Sequence, residues 1–266
     1  MYTDRFFLSD PGHKSLYIKR LQYIMTFLRL STMIAEHLKP RVLAFDTSTA
    51  RGSVALLEGK EPQVEIRLLS LNSHSKSLLV SIDFLLNLIN WKLKDLDLIA
   101  VGNGPGSFTG IRIGVSTALG LARSLTIPFV EIAGLDALAH GVSLQTGRIG
   151  VVLNAHRSQV YYAEYVARRG KIHKEQNPAL FETSALERSL RGRHLYLVGD
   201  TDVFGKPETG SSIWPRPVQT DHFLATKIGR LALERRRKWR SGNAVFSEPT
   251  YIRPPDALKK KQEKDD

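Results

Sequence analysis

The stretch Arg41-Val-Leu-Ala-Phe45, Asp46-Thr-Ser-Thr-Ala-Arg-Gly52, Ser53-Val-Ala-Leu-Leu57 decides the fold. Its outer segments are short apolar, β-rich runs and its middle is turn chemistry, so it reads as strand, turn, strand. Gly59 offers a second turn before Val64 to Leu69, giving two or three antiparallel strands. His74 to Trp91 follows helical spacing, and Leu96 to Gly102 reads as a strand buried on both faces. A glycine-rich stretch then leads into a helix ending near Leu125, followed by a strand over Ile127 to Ile132 and a helix from Gly134. The theme restarts with Ile149-Gly-Val-Val-Leu-Asn154 as strand, Ala155-His-Arg-Ser158 as turn and Gln159 to Ala167 as strand. A helix near Ser184 to Leu190, a strand over His194 to Val198 and a basic helix complete it, with the polar stretch 201–219 as a joint. Phe45-Asp46 and Leu153-Asn154 hold matching positions. The expected architecture is α/β: two related half-domains, each a mixed β-sheet flanked by helices, with a cleft between them. The expected divisions are an N-terminal extension over 1–40, half-domains over 41–145 and 146–250, and an irregular basic tail over 251–266.

The chain has 266 residues, of which 42% are hydrophobic and 24% charged, a globular composition with room for a large core. It has no cysteine, which excludes a disulfide scaffold, thiolate metal sites and cysteine nucleophiles and fits a reducing, cytoplasmic setting. The net charge of +12 favours a polyanionic partner, nucleic acid first, although plain solubility explains it as well. Half of the excess comes from Lys227, Arg230, Arg235, Arg236, Arg237, Lys238 and Arg240, opposed by Glu234 alone. They lie on a helix that Asp221 can cap and Gly242 can stop, and both a solvated face and a phosphate-contacting patch fit. Ahead of Arg41, the apolar stretch from Leu16 to Leu38 is broken by Lys19, Arg20 and Arg29, and it reads neither as a membrane span nor as a signal peptide. An amphipathic surface helix, a targeting leader and sequence translated from an early start codon (Met25 and Met33 follow) all remain open.

Gly102, Gly104, Gly106 and Gly110 open a helix, where exposed backbone N–H groups could hold an anion. No lysine follows the last glycine, as a P-loop requires, and Ser107 stands where the dinucleotide pattern needs glycine. Phosphate binding and a purely structural strand-to-helix turn are the two readings, and Arg112 could hold an anion or pair with a carboxylate. Asp46, beside Thr47 and Ser48, is the best candidate catalytic carboxylate, and its counterpart Asn154 cannot act as a base. Of the eight histidines no two stand four apart, so a helical zinc pair is missing and no metal site is expected.

The first long helix carries two apolar faces, Leu78, Ile82, Leu85 and Ile89 on one and Val80, Phe84, Leu88 and Trp91 on the next. Its successor carries Ile111 and Val115 and a small-residue row, Gly110, Gly114, Ala118 and Ala122, that permits another helix to approach. Either both helices are buried within this chain, or they form an apolar patch for a protein partner anchored by Phe84 and Trp91.

The opening Arg41 to Thr49, the segment Gly102-Asn-Gly-Pro-Gly-Ser-Phe-Thr-Gly110 continuing to Gly114, and the closing Pro249-Thr-Tyr-Ile-Arg253 resemble the bacterial TsaB (YeaZ) family. The resemblance implies the actin/Hsp70/sugar-kinase-like (ASKHA) fold. It also implies a non-catalytic subunit, without cofactor, of the machinery making N6-threonylcarbamoyladenosine beside the tRNA anticodon. On that footing the chain pairs as a heterodimer with a TsaD-type catalytic subunit through Leu78, Ile82, Phe84, Leu85, Leu88, Trp91, Ile111, Val115, Ala118 and Ala122. A TsaE-type ATPase joins, and a homodimer in isolation is a further option. Asp46, Thr47, Ser48, Gly104, Gly106, Ser107, Thr109 and Arg112 would then be a vestigial nucleotide site, and the basic helix a weak or indirect tRNA contact. The first forty residues have no counterpart in the family, and Asn154 stands where an Asp is usual. A small-metabolite kinase or a metallopeptidase-like hydrolase of the same fold is the alternative.

Overall fold

In the strand β1 (Arg41–Asp46) the side chains alternate, Val42 and Ala44 toward one face and Leu43 and Phe45 toward the other, and all four are fully buried. Such a strand must be covered on both faces, and the rest of the chain is arranged around that requirement. The computed structural model describes residues 39–69, 74–205 and 215–235. The sequence expected to form the tail, and all but the last two residues of the expected extension, lie outside them.

β1 pairs antiparallel with β2 (Arg51–Glu58), which pairs antiparallel with β3 (Glu61–Leu69). On its other side β1 runs parallel to β4 (Leu98–Gly102), and β4 runs parallel to β5 (Phe129–Ile132). The second sheet repeats this with β6 (Thr146–His156), β7 (Gln159–Arg168), β8 (Lys171–Glu182), β9 (Tyr196–Gly199) and β10 (Arg216–Val218). The orders β3-β2-β1-β4-β5 and β8-β7-β6-β9-β10 match strand for strand, with the same directions. Two strands escape the sequence reading. β8 is a polar, largely exposed strand at the sheet edge with no apolar alternation, and the three-residue β10 lies in the stretch expected to be a joint.

Helices α1 (His74–Leu88) and α2 (Phe108–Leu125) cover the outer face of the first sheet, meeting Leu43, Phe45, Ile99 and Val101. Helix α4 (Thr183–Leu190) covers the outer face of the second. Between the sheets lie α3 (Gly134–His140) and α5 (Ala225–Glu234), in one core with Val42, Ala44, Leu57, Val151 and Tyr165. These two exchange places relative to the chain order: α3 packs on β6 and β7, and α5 packs on β1, β2 and β4. Gly229 permits that approach, since a Cβ there would stand 2.6 Å from Leu57 and 3.2 Å from Ala44.

The start of α5 differs from expectation. Its first N–H groups are held by a residue distant in sequence, the buried Ser53 Oγ, which accepts from Leu224 N at 3.1 Å and Ala225 N at 3.0 Å. Asp221 instead accepts from Phe223 N at 3.1 Å and pairs with Arg67. The expected continuation of the helix to Gly242 lies outside the described residues.

Candidate functional site

Two apolar stripes at the same spacing run along α1, and the sheet takes only one of them. Leu78, Ile82, Leu85 and Leu86 are buried against it. Val80, Phe84 and Leu88, one turn apart in a row, are 68%, 56% and 57% exposed, and Leu79 beside them is 55% exposed. The row is flanked by Asp83 and Asn87, whose side chains hydrogen-bond at 3.2 Å. Among the residues expected to touch a partner, Leu78, Ile82, Leu85, Ile111, Val115, Ala118 and Ala122 are buried in this chain's own core and cannot do so. Trp91 is half-buried against that core with the Arg41 guanidinium 4.7 Å over its ring. Only Phe84 and Leu88 present themselves, joined by Leu79 and Val80.

The two glycines of the small-residue row of α2 serve a different neighbour from the expected helix. An added Cβ would lie 2.0 Å from the Thr47 carbonyl at Gly110 and 2.6 Å from Thr47 Oγ1 at Gly114. Gly110 and Gly114 therefore admit the β1–β2 turn, while Ala118 and Ala122 share the core with Leu78, Ile82 and Leu85 of α1. The outward face of α2 carries Arg112, Ser116, Gly120 and Arg123, and nothing lies within 4 Å of a Cβ on Gly120.

The structure brings Asp46, Thr47 and Ser48 against the glycine loop, and all three are buried. Asp46 Oδ1 accepts from Ser48 N at 3.2 Å, and Gly102 lies so close that a Cβ would stand 2.1 Å from that oxygen. Gly106 sits on the Ser48 carbonyl, which also accepts from Ser107 N at 2.6 Å. Thr47 Oγ1 donates to Gly110 O at 2.7 Å, Gly104 O accepts from Gly134 N at 2.7 Å, and Ser107 Oγ caps Gly110 N at 3.2 Å. The glycines thus allow backbone to pack on backbone, with the chain's own carbonyls on the loop. Thr109 and Arg112 are exposed, the Arg112 guanidinium lying 3.8 Å over the Phe108 ring.

A buried carboxylate that the sequence reading missed stands in the second half, directly after β9. Asp200 Oδ1 takes Arg51 Nη1 at 2.8 Å and lies 3.1 Å from His222 Nδ1, and Oδ2 accepts from Asn154 N at 2.9 Å. Burial pushes the Asp200 carboxyl up, but His222, the Asn154 amide and Arg51 outweigh it and hold it down at about 2. No motif in the sequence marks it, since it directly follows the short strand β9. Asp136 on α3 is a second such group, bonded to Lys174 Nζ, Tyr165 Oη and Arg235 Nη1 at 2.7, 2.7 and 2.8 Å. Burial opposes its ionisation, yet these partners hold it below the usual carboxylate range.

Arg235, expected as a phosphate contact, is held by Asp136 and is largely covered. Lys227 Nζ donates to the carbonyls of Asp221 and Phe223 at 2.7 and 3.1 Å, and Arg230 Nε donates to that of Lys60 at 2.8 Å. Arg236, Arg237, Lys238 and Arg240 lie outside the described residues. Among the described residues no three His, Asp or Glu side chains converge as a metal site. No helix among them is long and apolar enough to cross a membrane.

Two sheets of repeated strand order, helices on their outer faces and a helix pair between them define the actin/Hsp70/sugar-kinase-like class. Two solved structures from Pseudomonas aeruginosa share it. YeaZ is 25% identical with a TM-score of 0.62, covering 78% of this chain and 100% of that one. A protein described as similar to peptidase YeaZ is 23% identical with a TM-score of 0.65, covering 80% and 100%. The family model for TsaD, tRNA N6-adenosine threonylcarbamoyltransferase, matches residues 69–199. The tRNA threonylcarbamoyladenosine biosynthesis protein TsaB of Escherichia coli K12 is 29% identical over 83% of this chain and 97% of its own length. That of Bacillus subtilis 168 is 33% identical over 61% of this chain and 72% of its own length. The chain belongs to the TsaB family.

Proposed function

We propose that this chain is a non-catalytic subunit of the assembly that makes threonylcarbamoyladenosine in tRNA, and that it docks a TsaD-type catalytic subunit on the exposed face of α1. The observation carrying this is the row Val80, Phe84 and Leu88 with Leu79, left in water while the parallel stripe fills the core. Burying such side chains is worth ~1.5–3 kcal/mol each, and large anchors of this type dominate contacts between proteins. The family's names, which concern biosynthesis of the modified nucleoside, support the assignment. The ion-paired state of Asp136 and Asp200 supports the non-catalytic role, since carboxylates held ionised by bound cations are poor proton acceptors. On this reading a TsaE-type ATPase joins the pair, and the same face allows self-association when the partner is missing.

The test is co-purification with a TsaD-type protein. Phe84→Asp and Leu88→Asp are expected to abolish association while leaving the melting temperature within about 2 °C of the parent, as surface changes do. Association at parental strength in both variants would defeat the proposed surface.

A further inference from the structure

An open groove of about 960 Å³ runs between β3, the β7–β8 hairpin and α5. It is lined by Lys171, Lys227, Arg230, His140 and His173 together with three carboxylates. The carboxylates have partners of their own: Asp221 pairs with Arg67, Glu234 with Lys60 at 2.6 Å, and Glu65 accepts from Thr226 Oγ1 at 2.8 Å. Lys171, Lys227 and Arg230 make no ion pair among the described residues, and with Lys60 and Arg67 they set five cations against three carboxylates around one groove.

Lys227 is also held in place. Its stem occupies the space any side chain at Gly141 would need, a Cβ there standing 2.6 Å from Lys227 Cε, and two carbonyls orient its ammonium. An ammonium has three donors and these take two. Burial lowers its pKa, so a half-buried cation here gains from an anion brought to it. Because α5 lies on the inner face of the first sheet and α1 on the outer face, the groove and the proposed docking row can be occupied together.

We propose that this groove binds the phosphodiester backbone of RNA, with Lys171, Lys227 and Arg230 as the phosphate contacts. The choice of RNA over another polyanion rests on the function proposed above.

The experiment is fluorescence anisotropy of the purified full chain with labelled tRNA, from about 50 to 200 mM salt, beside the co-purification assay. Each phosphate contact contributes a slope of about −0.9 in log K against log salt. The double variant Lys171→Glu with Arg230→Glu should weaken binding at least tenfold and flatten the slope by about two units. It should keep the parental melting temperature and its association with the TsaD-type partner. Gly141→Ala, which displaces Lys227 without removing a charge, should weaken binding severalfold. Three outcomes overturn the proposal: no measurable tRNA binding by the parent, full affinity in the double variant, or loss only when Arg236, Arg237 and Lys238 are reversed. A fourth is displacement of the tRNA by poly-glutamate at equal charge concentration, which would mark an acidic-peptide groove. Because the anisotropy uses the chain alone, failure here leaves the docking result standing, and the reverse also holds.

Discussion

Ser53 Oγ and Asp200 each join distant parts of the chain, 171 to 172 residues apart for the buried Ser53 bonds and 149 for the part-buried pair of Asp200 with Arg51. Ser53→Ala leaves two amides at the start of α5 without their acceptor. A lost cap costs ~0.5–2 kcal/mol, and the burial places this one at the upper end, to be read as a lower urea midpoint. Asp221→Ala, the residue expected to cap the helix, removes a half-exposed ion pair and should cost under ~1 kcal/mol. For Asp200 the sign follows from a folded-state pKa of about 2, below the ordinary aspartate value of 3.8. Its contribution, roughly 2 kcal/mol, is present above pH ~4 and disappears as pH falls toward 2. The stability gap between the parent and Asp200→Asn, measured by denaturant titration at stepped pH, should therefore narrow across that interval. A constant gap would mean the carboxylate's charge is not what stabilises. Asp46 was legible as a strand-end carboxylate within turn chemistry, whereas Asp200 follows a short strand with no motif around it.

Helices α1 and α2 show how one sequence pattern can serve two purposes. Leu85 and Phe84 are neighbours in sequence, yet one is fully buried and the other mostly in water. Leu85→Ala should cost ~2–5 kcal/mol, while Phe84→Ala should leave the melting temperature almost unchanged and weaken only partner binding. On α2, Gly110→Ala drives a methyl into the Thr47 carbonyl and should destabilise by ~1–3 kcal/mol, the usual cost of overpacking. Gly120→Ala meets nothing and should raise the melting temperature, since alanine is favoured in a helix by about 1 kcal/mol. Opposite shifts from these two substitutions, followed by thermal unfolding, would establish which face of α2 is packed. The expectation that its glycines admit a second helix was reasonable from their spacing, but the same spacing fits the approach of a turn.

At the scale of the molecule, the repeated strand orders describe two halves, while α3 and α5 lie across the division between them. Val42, Ala44, Leu57 and Leu98 on the inner face of the first sheet share the core that α5 fills. At the end of that helix Arg235 reaches the buried Asp136, which also holds Lys174 and Tyr165 of the second sheet. Removing the chain from Asp221 onward would uncover that apolar face, and the remainder should lose its cooperative thermal transition even though every strand of both sheets is retained. Asp136, Glu164 and Asp200 are all held below the ordinary carboxylate range, so unfolding by acid is expected to begin below pH ~4 as these groups take up protons.

Most elements and their repetition were written in local sequence patterns, the edge strands β8 and β10 excepted. Period-two alternation, helical spacing and turn residues act over a few positions, and they act the same way in Phe45-Asp46 as in Leu153-Asn154. Tertiary structure alone decided which stripe of α1 meets the sheet, what the small residues of α2 accommodate, where α5 lies and which cations Asp136 and Asp200 hold. The physical reason is that a helix with two apolar stripes is indifferent to its own rotation. Only the surface it packs on, assembled from residues far away in the chain, selects one stripe for the core and leaves Val80, Phe84 and Leu88 in solvent.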